Sequence, residues 1–540
     1  MISPRRGRSR KRKESDIIKR RIFLTALVLI AVLLVFAAVF SLVRKHLSDR
    51  VEYPEGSHAW WDFGQSETVG SFPESLPEGT AEVGAGPEDK KETGTKEASE
   101  AQASDSPVIS RGEPSERLFQ KLLEEFKTPV DSTETPDCGY SLDADDYADT
   151  GGTAQGLLTV DPGIPENFVP LADISLPDPV ADTPSMYTYE EMLGDLAGLE
   201  ALYGDLYLTE EPENGEPLMR MMSAGETYDG RKIMVIYVGD LQAAHNVMIT
   251  GAIHAREYIT ADLVMKQLGM LLEGVRANAA FDNRPLSEWL KEVCFTFVPM
   301  CNPDGVSISQ YGLDGLSDPI LKANVRAAYE NDLAAGKADA SEGFDYFTKR
   351  WKANARGVNL NENFNALWER IPGGMSKEDL VQLSASEDRR ERTPGEETGL
   401  NSAGVAAYMS GGGFKGEAPC SEVETKILTI LADQRHYEAA VHYHAMGEVL
   451  YWDICNNKLR EHARDLSNQI MGLTGYTKKI SDDGGGYKDY FHLKKDPAAS
   501  LTVEVGTTAA PVDPAAMPVI WEQNIMVPYW TMKWAKEKGK

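Results

Sequence analysis

Cysteine is scarce in this chain. Five thiols, at positions 138, 294, 301, 420 and 455, are spread over 540 residues. An odd and sparse set excludes a disulfide framework. Cys294 and Cys301 flank a strand-like run and read as buried thiols rather than ligands, the usual fate of free cysteine. Positive charge is also in short supply: 55 Lys and Arg face 84 Asp and Glu, a formal net charge of -29. A surface of that sign repels phosphates, which excludes nucleic acid as a partner. No internal repeat is visible, which removes the repeat architectures. What is present suits a globular core, with 42% hydrophobic residues and a length that allows one large domain with extensions, or two domains.

The basic residues that do occur are concentrated at the start. Residues 5–21 hold ten Lys or Arg, and Ile22 to Val43 follows as an uncharged apolar run of 22 residues. A run of that length is expected to cross a bilayer as a helix. It is too long for a signal peptide and no cleavage site follows it. The basic flank predicts residues 1–21 in the cytoplasm, a transmembrane helix over 22–43, and the rest of the chain outside the cell membrane. Residues 44–185 are rich in Glu, Asp, Ser, Gly, Thr and Pro, with Glu74 to Asp105 the clearest low-complexity stretch. Such composition predicts a disordered, extended acidic linker. Ser115 to Phe126 interrupts it with helical spacing of Leu118, Leu122, Leu123 and Phe126, and two readings stay open there, a docking helix or a transient one.

From Met186 to Lys540 the pattern is that of a folded domain. Helical spacing marks Tyr187 to Tyr203, Thr260 to Leu272 and Glu422 to His436, while Asn246 to Thr250, Met234 to Val238, Val293 to Pro299 and Ala439 to His444 read as strands. Alternation of strands with helices predicts an α/β domain with a mixed, mostly parallel sheet. Chemistry in such sheets gathers outside the carboxyl ends of strands. The sequence places polar motifs there. His254-Ala-Arg-Glu257 follows one strand and sets an imidazole and a carboxylate three residues apart, two ligands that zinc accepts. Asn302-Pro-Asp-Gly305, the His444 strand and Leu501-Thr-Val-Glu504-Val follow others. Glu504 stands out because a carboxylate on an otherwise apolar strand is costly to bury unless a cation or a reaction needs it.

Taken together, these stretches resemble the M14 zinc carboxypeptidase family of bacterial, membrane-anchored type, over about Met186 to Trp534. The likeness is carried by Tyr228-Asp-Gly-Arg231, His254-Ala-Arg-Glu257, NPDG at 302–305, GVNLNENF at 357–364, Phe414-Lys-Gly416 with Ser421-Glu-Val-Glu-Thr425, His444-Ala-Met-Gly-Glu448 with Tyr451-Trp452, GGYKDYF at 485–491 and TVEVG at 502–506. Their order is the family's order. The resemblance implies a mixed eight-stranded sheet flanked by helices, a peptide substrate and a zinc cofactor. It implies His254, Glu257 and His444 as zinc ligands; His442, two residues earlier and so on the same face of the strand, is the competitor for the third place. It implies Glu504 as general base, and Lys352 aligns with the family's carbonyl-polarising arginine.

The departures matter as much. Where the family keeps an arginine for the substrate's terminal carboxylate, this chain has Glu362, between Asn361 and Asn363. Glu362 cannot bind a carboxylate but could bind an ammonium. Lys488, in the segment that often sets specificity, is expected to receive a carboxylate instead, and Arg256 and Arg356 are further cations for that role. With Asn361, these make Arg256, Glu362 and Lys488 the substrate-binding candidates. A residue with both charges at its far end, such as diaminopimelate in a peptidoglycan stem peptide, would satisfy Glu362 and Lys488 together. Gly411 to Gly416 fits a phosphate-binding GxGxxG by letters only and reads as a mobile loop, lacking the flanking strand and helix. Residues 307–350 and 369–413 are expected to be surface insertions beside the cleft. The alternatives are a zinc- and peptide-binding module without turnover, favoured by Glu362, and a scaffold, disfavoured by the retained metal triad.

Overall fold

Almost continuous apolar runs build the centre of the sheet. The computed structural model describes residues 114–129, 168–208, 217–371, 409–454, 457–480 and 484–538. Eight strands form one mixed sheet: β1 (Met219–Glu226), β2 (Lys232–Val238), β3 (His245–Thr250), β4 (Val293–Val298), β5 (Ala439–His444), β6 (Val449–Asp453), β7 (Thr477–Ile480) and β8 (Ala499–Glu504). Their order is β7-β6-β8-β5-β3-β4-β2-β1. The middle four, β8, β5, β3 and β4, are parallel; β6 runs antiparallel to β8 and pairs in parallel with β7, while β2 runs antiparallel to both β4 and β1. Strands buried on both faces need no alternation of polarity, which is why β4 reads Val-Cys-Phe-Thr-Phe-Val. The expected α/β class and eight-stranded sheet are therefore present.

The period of two in a strand sorts side chains to opposite faces. Val247, Ile249, Val441, Tyr443, Leu501 and Val503 all join one core, packed by the helices Tyr189–Tyr203, Ile259–Arg276, Arg460–Thr474 and Val527–Lys538. Each such side chain, fully buried, contributes about 1.5–3 kcal/mol. Met248 and Ala440 face the other core, under the helices Val423–Asp433 and Tyr487–Leu493. By the same alternation His442, His444, Ser500, Thr502 and Glu504 turn toward this second side. The parallel register sets Glu504 directly opposite His444 at the carboxyl ends of neighbouring strands.

Helix boundaries follow local chemistry. Tyr189–Tyr203 begins at Thr188, whose hydroxyl accepts from the Glu191 amide at 3.0 Å while the Glu191 carboxylate accepts from the Thr188 amide at 2.7 Å. It ends at Gly204. The helix Ile259–Arg276 is buried along most of its length, and its Lys266 ammonium donates to the carbonyls of Val180 and Asp182, both at 2.8 Å. That contact corrects the expected start of the folded part. Residues 168–185 lie against the domain: Val169–Pro170 pairs with Ala279–Phe281, and Val180 and Pro177 press on Gly269. A Pro-rich composition hid this, since extended segments of that kind are held by contacts made far away in sequence.

Of the two readings for Ser115 to Phe126, docking is observed. Ser115 caps the helix Glu116–Glu124. Phe119 is buried in the second core, and the Glu116 carboxylate accepts from the Ser223 amide at 2.9 Å. The Asn365 amide donates to the Pro129 carbonyl. The expected transmembrane helix over 22–43, and the rest of the acidic linker, lie outside the described residues. Among the described residues no helix is long and apolar enough to cross a membrane.

Candidate metal centre

The loop after β3 is built to hold His254. A Cβ on Gly251 would meet the carbonyl oxygens of Thr260 and Pro299 at 2.8 and 2.9 Å, so only glycine fits. The Thr260 hydroxyl accepts from the Ala252 amide and donates to the Glu257 carbonyl, both at 2.7 Å. Asn302, from the NPDG stretch, donates to the carbonyls of Ile253 and Ala353 at 3.1 Å each. It thereby ties the His254 loop to the segment that carries Lys352. One turn of 3₁₀ helix, Ala255–Glu257, then brings Glu257 round beside His254.

Three donors converge as a result. His254 Nδ1 lies 2.8 Å from one Glu257 oxygen, His444 Nδ1 lies 3.1 Å from the other, and the two Nδ1 atoms are 3.1 Å apart. The Ala445 amide donates to Glu257 at 3.2 Å and fixes the carboxylate. Asn359 decides the protonation of His254. Its Nδ2 donates to the Gly412 carbonyl at 3.3 Å and its Oδ1 accepts from the Asn361 amide at 3.2 Å, which orients the amide group. His254 Nε2, 3.1 Å from that oxygen, must carry the proton and donate it. His254 Nδ1 is then a bare lone pair aimed at a carboxylate. Such an arrangement is repulsive unless a cation or a proton lies between, and two imidazole nitrogens with one carboxylate oxygen fit zinc.

For His254 and Glu257 the electrostatics agree with this assignment, whereas at His444 burial is outweighed by the Glu257 carboxylate, which raises the imidazole. Burial pushes the His254 imidazole down to about 3, with the Lys352 charge adding to the effect, so it is neutral, the form that ligates. Burial opposes ionisation of Glu257, but the two histidines override it and hold its carboxyl well below the usual range. For Glu504, burial pushes the carboxyl up to about 7, helped by the Glu257 charge and opposed by His444, Lys352 and Arg256. Lys352 is half-buried, and its charge weighs on His254, His444 and Glu504 alike.

A profile described as zinc carboxypeptidase, of peptidase family M14, matches residues 213–534. The chain belongs to that family. Zinc carboxypeptidases are peptide hydrolases, and the family implies Zn²⁺. A relative in Lysinibacillus sphaericus, named gamma-D-glutamyl-L-diamino acid endopeptidase 1, is 23% identical over 340 residues, covering 63% of this chain and 70% of its own. Carboxypeptidase A from Helicoverpa armigera aligns at 16% identity with a TM-score of 0.39, over 65% of this chain and 75% of its own. Murein-tripeptide amidase MpaA from Escherichia coli O157 aligns at 15% identity with a TM-score of 0.31, over 57% and 91%.

Within this zinc carboxypeptidase the other expected residues fare unequally. His442 does not join the cluster: its Nδ1 lies 2.9 Å from the Thr250 hydroxyl, and its ring packs against Tyr487 and Phe491. Lys488 is a correction. Rather than facing a substrate, it is buried on the inner side of its helix, paired with Asp489 and donating to the Asp453 carbonyl at 3.1 Å. Arg356 is likewise engaged, by the Tyr228 hydroxyl at 3.0 Å and Glu422 at 3.6 Å. Asn361 accepts from the Tyr487 amide at 3.0 Å. Glu362 is half-buried, with its backbone against Gly485. Arg256 donates to the Arg350 carbonyl at 3.2 Å, while its buried Nε has no acceptor. Sequence reasoning missed Asn359 and Asn302 as supports of the centre. The only signal was that both fall inside the quoted motifs.

Proposed function

We propose that this chain is a membrane-anchored zinc peptidase that faces outward and hydrolyses cell-wall stem peptides. The observation that carries the reading is the convergence of His254 Nδ1, Glu257 and His444 Nδ1 within 3.1 Å, with Glu504 on the adjoining strand. His254, Glu257 and His444 would hold one zinc ion, which when bound polarises the scissile carbonyl and acidifies water. Glu504 takes the proton of the attacking water and returns it to the leaving amine. Lys352 stabilises negative charge on the carbonyl oxygen as a point charge, without the fork an arginine would offer. Arg256, whose charge acts on Glu257 and Glu504 beside the metal centre, holds the substrate carboxylate.

Glu362 selects the substrate. The relative from Lysinibacillus sphaericus is named for a diamino acid. A diamino acid brings an ammonium that Glu362 can pair with and that an arginine would repel. The deciding experiment compares kcat/KM of wild type and Glu362→Arg on a stem peptide bearing diaminopimelate or lysine and on a plain peptide of equal length. The wild type should prefer the first, and the swap should shift the ratio by about 10- to 100-fold, the worth of one charged hydrogen bond. An unchanged ratio removes Glu362 from the substrate. Zinc binding without hydrolysis of any peptide would favour the second reading, a binding module, to which Glu362 also lends itself.

The basic residues 5–21 and the apolar run 22–43 support the anchor, with the N-terminus cytoplasmic. Protease added to intact cells or spheroplasts should then cut the chain and release its C-terminal part. Complete protection, with protease access proven, would reverse the orientation.

A further inference from the structure

Residues 307–350 include two helices, Pro319–Ala334 and Gly343–Lys349. Their packing reaches the metal centre through the loop 409–413. Asp332 is a buried carboxylate on the first helix. It accepts from the Ser410 hydroxyl at 2.7 Å and from the Gly411 amide at 2.8 Å. A Cβ on Gly411 would meet the Phe347 ring at 2.7 Å, so the second helix supports the same turn. Glycine is required there by close approach, and the segment is pinned where the sequence alone reads as a mobile loop.

From this turn two branches lead inward. The Gly411 carbonyl accepts from the amides of Lys352 at 2.7 Å and Ala353 at 3.2 Å, and the Lys352 carbonyl accepts from the Ala255 amide, next to His254, at 3.2 Å. The Gly412 carbonyl accepts from Asn359 Nδ2 at 3.3 Å, and Asn359 Oδ1 in turn receives the His254 Nε2 proton at 3.1 Å. One branch sets the backbone of Lys352. The other sets the tautomer and angle of His254.

We propose that Asp332 is a positioning residue for the reaction centre, acting on Lys352 and His254 through the Gly411 and Gly412 carbonyls. Removing its carboxylate leaves the Ser410 hydroxyl and the Gly411 amide without their acceptor, and the turn that aims both carbonyls loses its anchor. Partners bonded directly to a ligating histidine, as Asn359 is here, change metal affinity or activity about 10- to 100-fold, and Asp332 anchors the turn whose Gly412 carbonyl aims Asn359. The inference rests on the metal and oxyanion roles proposed above.

The test uses the full-length chain in detergent, with zinc affinity read by competition against a chromogenic chelator and turnover read on a lysine-bearing stem peptide at saturating zinc. Asp332→Ala should weaken zinc binding and lower kcat, each by about 10-fold or more, with KM within about twofold of wild type. Asp332→Asn keeps one acceptor oxygen for two donors and should fall between. It also carries the test if the alanine variant does not fold. The branches separate in a Lys352→Ala background, where Asp332→Ala should cost little further kcat yet still weaken zinc. A general loosening of the fold would instead lower kcat by the same factor in both backgrounds, and that result would overturn the proposal. So would folded variants with zinc affinity and kcat at wild-type levels. A wild type that binds no zinc would overturn the metal reading and this inference with it, whereas a zinc-binding, active wild type with indifferent variants removes only Asp332.

Discussion

Glu504→Gln should bind zinc as the wild type does and turn over at least ~10²-fold more slowly, the usual contribution of a general base. The amide keeps the size and shape of the side chain at the end of β8, opposite His444 in register, but cannot accept a proton. The loss should appear in kcat and kcat/KM together, since proton transfer belongs to the transition state. The pH profile supplies an independent check. A base must be deprotonated to act, so activity is lost as pH falls through its pKa. Burial lifts the Glu504 carboxyl to about 7 and the Glu257 charge pushes the same way. A divalent cation held by Glu257 offsets that push, so the acid limb of kcat is expected below 7 and should vanish in Glu504→Gln. If the variant retains full turnover, or its acid limb is unchanged, the proton is accepted elsewhere.

The metal itself should follow His444 and ignore His442. Wild type is expected to carry about one zinc per chain, the count of a three-ligand catalytic site. His444→Ala removes one of three converging donors and should leave almost no zinc after dialysis against a mild chelator. His442→Ala should retain it. Its imidazole lies 2.9 Å from the Thr250 hydroxyl and its ring centroid 4.6 Å from that of Tyr487, inside the second core. Elemental analysis of both variants, with folding checked by circular dichroism, decides the matter. The opposite pattern would reassign the third ligand.

That His254, Glu257 and His444 meet, with Glu504 beside them, was legible because each ends or follows a strand, while the roles expected of His444 and Glu504 came from the family resemblance. His254 and Glu257 follow a buried strand, and His444 and Glu504 end others. The period of two even predicts that His442 shares a face with His444. What it cannot supply is depth along that face, and depth separates a donor at the mouth from one stacked under a helix. Lys488 failed for a related reason. A lysine in a motif reads as exposed, and only the fold shows its helix turning that side inward onto Asp489 and the Asp453 carbonyl. Asp332 and Gly411 stand 79 residues apart, and nothing local in either announces the other. Phe119 is a similar case. A short amphipathic turn in an acidic stretch states that one face is apolar, not which surface will cover it.

The helix that carries Phe119 has a bearing on how the molecules avoid one another. An open sheet has two borders whose unpaired amides can recruit a strand from a neighbouring copy, and long bare borders are where aggregation begins. Here the two are blunted differently. β7 is only four residues long and includes Lys478 and Lys479. β1 is twice that length, and along it the Glu116 carboxylate takes up the Ser223 amide while Phe119 sits beside it in the core. A segment that begins the described part of the chain thus occupies a place that another molecule's strand could otherwise fill.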